Sequence, residues 1–242
     1  MVFSGNMPVR TIIALLSVLT AFGASRPAPV APPPAEALAE LLARVDRAAA
    51  GFKTMTAGVR MVYHTAVIND DSVDIGTIYL KRSRPGDIKM LIDVTQPDPK
   101  AYTIDGRKAE VYLPKAKTVD EYDLGKYRGL VNQFMLLGFG SSSQELESGY
   151  TIRLVGTAPV AGQNASQLEL IPKSKAVLEH LLKVELWVSD ATGYPVQQQF
   201  LLPGGDYRMV TYTDVKVNPN LPDSALKLQL PRGVKRQTPQ KQ

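Results

Sequence analysis

Apolar positions along the chain follow three rhythms, and each predicts a different kind of element. From Ala35 to Phe52, residues Leu38, Leu41, Leu42, Val45, Ala49 and Phe52 recur at three- and four-residue spacing, with Glu40, Arg44 and Arg47 opposite. This predicts an amphipathic helix ending near Gly51. The period then drops to two. Met55, Ala57, Val59, Met61, Tyr63, Thr65 and Val67 hold one face of a long strand, Asn69-Asp70-Asp71-Ser72 turns the chain, and Val73 to Arg82 returns it. After a Ser83 to Asp87 turn, Ile88, Met90, Ile92 and Val94 alternate again until Gln96-Pro97-Asp98-Pro99. Lys100 to Ile104 and Lys108 to Leu113 read as a hairpin around Asp105-Gly106, closed by a primed turn, and Thr118 to Asp123 follows the Pro114 to Lys117 turn.

At Leu124 the alternation stops. Tyr127, Leu130, Val131, Phe134, Met135 and Leu137 form a second helical stripe, ended by Gly138-Phe139-Gly140, and Ser141-Ser142-Ser143 with Glu145 and Glu147 reads as the polar start of a further short helix. Strands resume at Tyr150 to Val155 and Ala165 to Ile171 around a Pro159 to Gly162 turn. Lys183 to Ser189, Pro195 to Leu202 and Tyr207 to Val217 follow, and Leu226, Leu228 and Leu230 close the set. Lys173 to Leu182 fits neither period. Short hairpin loops favour a meander over parallel crossovers. The fold class expected is mainly β with a few helices: a strongly curved antiparallel sheet, an open barrel or half-barrel, with the N-terminal helix and the mid-chain helices on its concave face.

The segment before the first helix carries a different message. Arg10 precedes a charge-free run from Thr11 to Phe22, and Gly23-Ala24-Ser25 supplies small residues for a peptidase. About a dozen residues are too few to span a bilayer, which takes about 20, but they suit a signal peptide. Residues 1–25 are therefore read as an export signal, with a retained anchor as the alternative. Arg26 to Pro34 is proline-rich and reads as an extended linker. The folded domain is expected over 35–234, and 235–242 as a basic disordered tail.

Composition narrows the chemistry. The absence of cysteine excludes disulfides, thiolate zinc sites, a cysteine nucleophile and an acylated N-terminal cysteine. A net charge of +5 is mild and scattered, without the basic stripe and interleaved aromatics of a nucleic-acid binder. The two histidines, His64 and His180, lie far apart without ligand spacing, and His64 is read as exposed. Asp70-Asp71-Asp74 reads as turn chemistry and Asp120-Glu121-Asp123 as an edge strand, neither spaced as a calcium loop. Gly138-Phe139-Gly140-Ser141 lacks the third glycine and the Lys-Ser/Thr pair of a phosphate loop, and Ser141 sits in no nucleophile elbow. No cofactor, metal or catalytic residue is expected.

Several segments in order resemble the LolA-type outer-membrane lipoprotein carriers and their sorting-protein relatives. They are the first helix and long strand, Gly76-Thr77-Ile78-Tyr79-Leu80-Lys81-Arg82 with Arg84-Pro85-Gly86, Ile104-Asp105-Gly106-Arg107, Val111-Tyr112-Leu113-Pro114, Leu170-Ile171-Pro172-Lys173 and Leu230-Pro231-Arg232-Gly233-Val234. The resemblance implies an unclosed antiparallel barrel with helices as a lid over an apolar cavity for lipoprotein acyl chains. It also implies an inner-membrane release complex and an outer-membrane receptor as partners. In that family an arginine ending the Gly-x-x-x-x-Lys-Arg strand bonds the lid shut. Arg82 matches it, while the two extra residues before Pro85 make Arg84 a second candidate.

On this reading the acyl cavity is lined by Met61, Tyr63, Ile75, Met90 and Ile92 from the strands and by Leu130, Phe134 and Met135 from the lid, hinged at Gly125 and Gly138-Phe139-Gly140. Methionine suits such a wall because it adapts its shape. The expected protein is a monomeric periplasmic carrier of acylated lipoproteins or lipid. A lipid-sensing module on the same scaffold, or a hydrolase with dispersed residues, remains open.

Overall fold

Alternating hydrophobicity over so many short segments is satisfied when they share a buried face, and most of them do. The computed structural model describes residues 34–84, 87–125 and 137–239. Helix α1 (Pro34–Ala50) carries proline at its first position, where a missing N–H costs nothing. Six strands follow: β1 (Thr54–Thr65), β2 (Asp70–Arg84), β3 (Asp87–Gln96), β4 (Lys100–Asp105), β5 (Lys108–Leu113) and β6 (Thr118–Asp123). Helix α2 (Ser143–Gly149) leads into β7 (Tyr150–Val160) and β8 (Gln163–Pro172), and the short α3 (Lys175–Leu178) resolves the segment that fitted neither period. Then come β9 (Lys183–Ser189), β10 (Pro195–Leu201), β11 (Tyr207–Val217) and β12 (Lys235–Gln237).

All twelve strands join one sheet in the order β12-β6-β5-β4-β3-β2-β1-β11-β10-β9-β8-β7. It is two meanders, β1 to β6 and β7 to β11, joined where β1 pairs antiparallel with β11 from Met55↔Val217 to His64↔Tyr207. The sheet does not close, because β7 and β12 remain its two edges. The register puts Met61, Val210, Gln198, Leu186 and Leu168 in one cross-strand row, so a single face runs from β1 through β8.

Helix α1 covers one half of that face. Leu41, Leu42 and Val45 pack with Leu168, Leu170, Leu186 and Leu146 of α2. Polar contacts fix the helix in place. Asp46 accepts from the Ser143 N–H (2.6 Å) and hydroxyl (2.7 Å), and the Tyr194 hydroxyl donates to Ala48 O (2.8 Å). Asn218, left-handed at φ 56°, accepts from Lys53 N–H at 2.8 Å and donates to Gly51 O at 2.7 Å, tying the helix exit to the end of β11. Ser142 caps α2 in a reciprocal box with Glu145, as the sequence signalled.

Several boundaries differ from expectation. The first hairpin turns at 66–69, earlier than Asn69-Ser72, so Val67 leaves the buried face and is 92% exposed. The turn is held by the Asp206 carboxylate, which accepts from Ala66 N–H at 2.9 Å. The β4–β5 turn centres on Gly106-Arg107, because Asp105 is the last residue to pair. Pro159 lies inside β7, tolerated because β7 is an edge strand. Leu226 ends a 3₁₀ turn (Asp223–Leu226), and Leu228 and Leu230 form no strand. The segment read as a disordered tail, 235–242, instead contributes β12, which pairs parallel with β6 while Arg236 bonds Glu110 and Glu121. The expected signal peptide, the linker before Pro34 and the Tyr127 to Met135 stripe lie outside the described residues.

Leu186 is fully buried beneath α1. Leu186→Ala is expected to cost about 2–5 kcal/mol in urea unfolding with an unchanged m-value. A second expectation concerns acid. Asp223 bonds Lys81 (2.6 Å) and Lys89 (3.1 Å), pinning the C-terminal arm across β2 and β3, and these ammonium groups hold its carboxyl down to about 2. A depressed carboxylate contributes stability above its unfolded pKa and loses it as pH falls. Asp223→Asn should therefore flatten the stability loss between about pH 4 and pH 2, read by thermal melts across that window.

Candidate ligand cavity

The half of the concave face that α1 leaves uncovered holds a cavity of about 320 Å³. Its walls are mostly apolar, with Val59, Met61 and Tyr63 of β1, Ile78 of β2, Met90 and Ile92 of β3, and Tyr102, Ile104, Val111, Phe200, Val210 and Tyr212, while Thr103, Glu110 and Gln198 add polar groups. The wall follows from register: Ile78 faces Ile92, Ile92 faces Tyr102 and Met61 faces Val210 across adjacent strands. Exposure grades along it. Val59, Ile78 and Tyr212 at one end are buried, whereas Tyr63, Ile92, Tyr102 and Phe200 at the other are only partly so.

Aromatic packing closes the buried end. Phe139 meets Tyr212 edge-on at 5.0 Å and Phe52 at 6.1 Å. The Tyr212 hydroxyl donates to Gln198 Oε1 (3.0 Å), and Gln198 Nε2 donates to Leu137 O. Burial pushes the Tyr212 phenol above its ordinary value, so it remains a neutral donor. Arg82 Nη1 donates to Gly140 O, and its Nη2 lies 3.8 Å from Glu145. The segment 137–140 is thus held to the sheet at both of its ends.

The open end is polar. Asp74 is 5% exposed, faces Met61 across the hairpin, and pairs with Lys100 Nζ at 2.8 Å. Burial alone would lower the Lys100 pKa, but the Asp74 carboxylate and Tyr102 hydroxyl outweigh it and hold the ammonium above its usual range. Burial, and then the neighbouring Asp74 charge, pushes the Tyr63 phenol up. Arg208 faces Tyr63 across β1 and β11, its guanidinium 5.4 Å from the ring centroid.

Of the residues singled out from sequence, Met61, Tyr63, Met90 and Ile92 come together in the cavity. Ile75 does not. A four-residue turn before β2 places even-numbered β2 residues beside odd-numbered β1 residues, so Asp74 points in and Ile75 is 43% exposed. Leu130, Phe134 and Met135 lie outside the described residues, as does the side chain of Arg84, whose backbone pairs with Asp87. Gly125, Gly138 and Gly140 all take positive φ. His64 is half-buried rather than exposed, stacked on Tyr207 at 4.6 Å and 2.7 Å from Asp71; His180 is exposed. Among the described residues no group of three His, Asp or Glu side chains is placed to hold a metal. Sequence reading missed Gln198, Tyr102, Phe200, Arg208 and Asp74, whose only signal was the strand register.

No protein-family model and no curated protein matches the sequence. Solved structures do. An uncharacterized conserved protein from Thermus thermophilus superimposes with a TM-score of 0.52 at 15% identity, covering 84% of this chain and 99% of that one. This likeness shows the fold, an unclosed curved antiparallel sheet with helices. Structures similar to this chain also include a LolA superfamily protein from Nitrosomonas europaea (TM-score 0.39, 15% identity, 78% of this chain and 97% of that one). MucB is a third (TM-score 0.49, 17% identity, 80% of this chain), and the chain spans 63% of its length.

The Arg82 contact makes Gly140 sensitive. At φ 79° an added Cβ would lie 2.8 Å from both Arg82 Nη1 and Phe52 Cδ1. Gly140→Ala is expected to cost about 1–3 kcal/mol by strain and lost contacts, measured by urea unfolding.

Proposed function

We propose that the protein is a periplasmic carrier that shields acyl chains of lipoproteins or lipid in its concave cavity and moves them towards the outer membrane. The observation that carries this reading is the cavity in the half of the concave face that α1 does not cover. Apolar side chains from two meanders surround a space that the protein's own helix α1 does not fill. Its volume stands at the low end of the range of about 300–1,000 Å³ for small-molecule sites, enough for one chain at a time. Each methylene moved from water into it contributes about 0.8 kcal/mol, so a chain is held without a covalent step.

Release needs a wall that gives. Methionines at 61 and 90 adapt their shape, and the 137–140 segment is fastened by a few polar contacts. Arg82 is the lid clasp in this reading, through its bond to Gly140 O. Export by residues 1–25 belongs to the same proposal, and no chemical step is required of any residue.

The test is to purify the protein from native envelope and identify what travels with it by mass spectrometry, beside Ile92→Trp, which fills the cavity with an indole. Acyl-bearing molecules are expected on the parent protein and at least about tenfold less on the variant, with a melting temperature within a few degrees. Triacylated proteins among them assign lipoprotein traffic, and free lipid assigns the lipid arm. A parent protein that carries no acyl group and fails to bind a fluorescent fatty-acid probe overturns the proposal.

A further inference from the structure

The open end of the cavity carries a cation whose best hydrogen-bonding edge is unused. Arg208 lies on the same face as the cavity, between Tyr63 on β1 and Phe200 on β10, both of which line it. Its Nη1 donates to His64 O and Tyr207 O, each at 2.9 Å, which fixes the plane of the guanidinium. The Nε and Nη2 groups form the edge that takes a carboxylate or phosphate through two parallel bonds. Among the described residues nothing accepts from that edge, and no carboxylate pairs with Arg208.

The surroundings favour an anion there. Asp74, the buried carboxylate at this end, is neutralised by Lys100 at 2.8 Å. Glu110, which also lines the cavity, is paired with Lys108 and Arg236, and the Asp206 carboxylate accepts from Ala66 N–H, which leaves Arg208 a cation that no carboxylate pairs among the described residues. Tyr63 and Tyr102 hold hydroxyls at the same end; that of Tyr63 donates to Met61 Sδ at 3.7 Å, a weak acceptor that an anionic oxygen can displace. The Tyr63 ring supports the guanidinium from one side at 5.4 Å, limiting its freedom before any ligand arrives. Beyond this polar end the wall is Met61, Met90, Ile92 and Val210, and the far end is shut by Phe139 against Tyr212. A charged head at one end and a single closed apolar channel behind it match the shape of one kind of molecule.

We infer that Arg208, with the hydroxyls of Tyr63 and Tyr102, forms a head-group site for a single-chain amphiphile with an anionic head, a carboxylate or a phosphate. The inference rests on the reading of the cavity as an acyl-chain site and narrows its lipid arm. The guanidinium binds the head at the open end, and the chain lies inward along β1, β3 and β11.

Calorimetric titration of the delipidated protein tests it, with four twelve-carbon probes below their micelle concentrations: laurate, lauroyl lysophosphatidic acid, dodecanol and dodecyltrimethylammonium. At least one anionic probe is expected to bind about tenfold more tightly than dodecanol, the cation more weakly than either, and Arg208→Gln is expected to abolish the anionic advantage. Dodecanol binding that is unchanged in Arg208→Gln shows that the variant is folded and the channel intact. Arg208→Lys should restore part of the advantage, because it returns the charge without the two-pronged edge. A preference for laurate assigns free fatty acid, and a preference for the lysophospholipid assigns a lipid phosphate. If all four probes bind alike, or if the anionic advantage survives in Arg208→Gln, the head-group site is wrong while the cavity reading stands. If no twelve-carbon probe binds, the acyl-chain reading falls and takes the head-group site with it.

Discussion

The antiparallel pairing of β1 with β11 is the constraint on which the rest of the structure depends. Each meander alone is a sheet with an apolar face and nothing opposite it. Joined between Met55 and Val217 at one end and His64 and Tyr207 at the other, they become a single curved surface. The cavity straddles this junction, with Val59, Met61 and Tyr63 on one side and Val210 and Tyr212 on the other. The polar end is built there too, because Tyr63 and Arg208 are direct partners across it. Asn218 then stitches the exit of α1 to the same line by bonding Lys53 and Gly51.

Why α1 covers only one half of the concave face follows from its length and placement. α1 has 17 residues, and its apolar side is taken up by the β7 to β9 half, where Leu41, Leu42 and Val45 find Leu168, Leu170 and Leu186. Asp46, held by Ser143, and the Ala48 carbonyl, held by Tyr194, keep it there. The wall over β1 to β5 meets Phe52 and Phe139 at its buried end. The cavity of about 320 Å³ lies in that wall.

Much of this was legible in the sequence, and the parts that were not share a cause. Local signals were reliable: the period-3.6 stripe marked α1, the period-2 runs marked most strands, and Ser141-Ser142-Ser143 with Glu145 and Glu147 marked the polar start of α2. The resemblance supplied the unclosed sheet and directed attention to Arg82, which the fold places against Gly140. What failed was anything depending on the parity between strands. The first hairpin turns three residues before the Asn69 to Ser72 centre of polarity suggests, which exposes Val67 and exchanges Ile75 for Asp74 on the concave face. Asp74 was hidden among Asp70 and Asp71, where turn chemistry already accounts for aspartate. Arg208 had no local signal, since its partner Tyr63 is far away in the chain and only strand register joins them. β12 was missed because lysine and arginine read as a solvated end until Glu110 and Glu121 are brought beside them.

The order of the strands has a consequence for how the molecule comes into being. Neighbours in the first six strands are neighbours in sequence, and the same holds from β7 to β11, but β1 must wait for the last strand of the second meander. Contacts between such distant segments form slowly because a long stretch of chain has to be gathered before they return anything. Until then β1 and β11 each present a bare row of backbone donors and acceptors, the kind of border that recruits a stranger's strand. The newborn protein is therefore two halves in search of one another, and its most vulnerable moment falls at the line that later runs through the middle of the cavity.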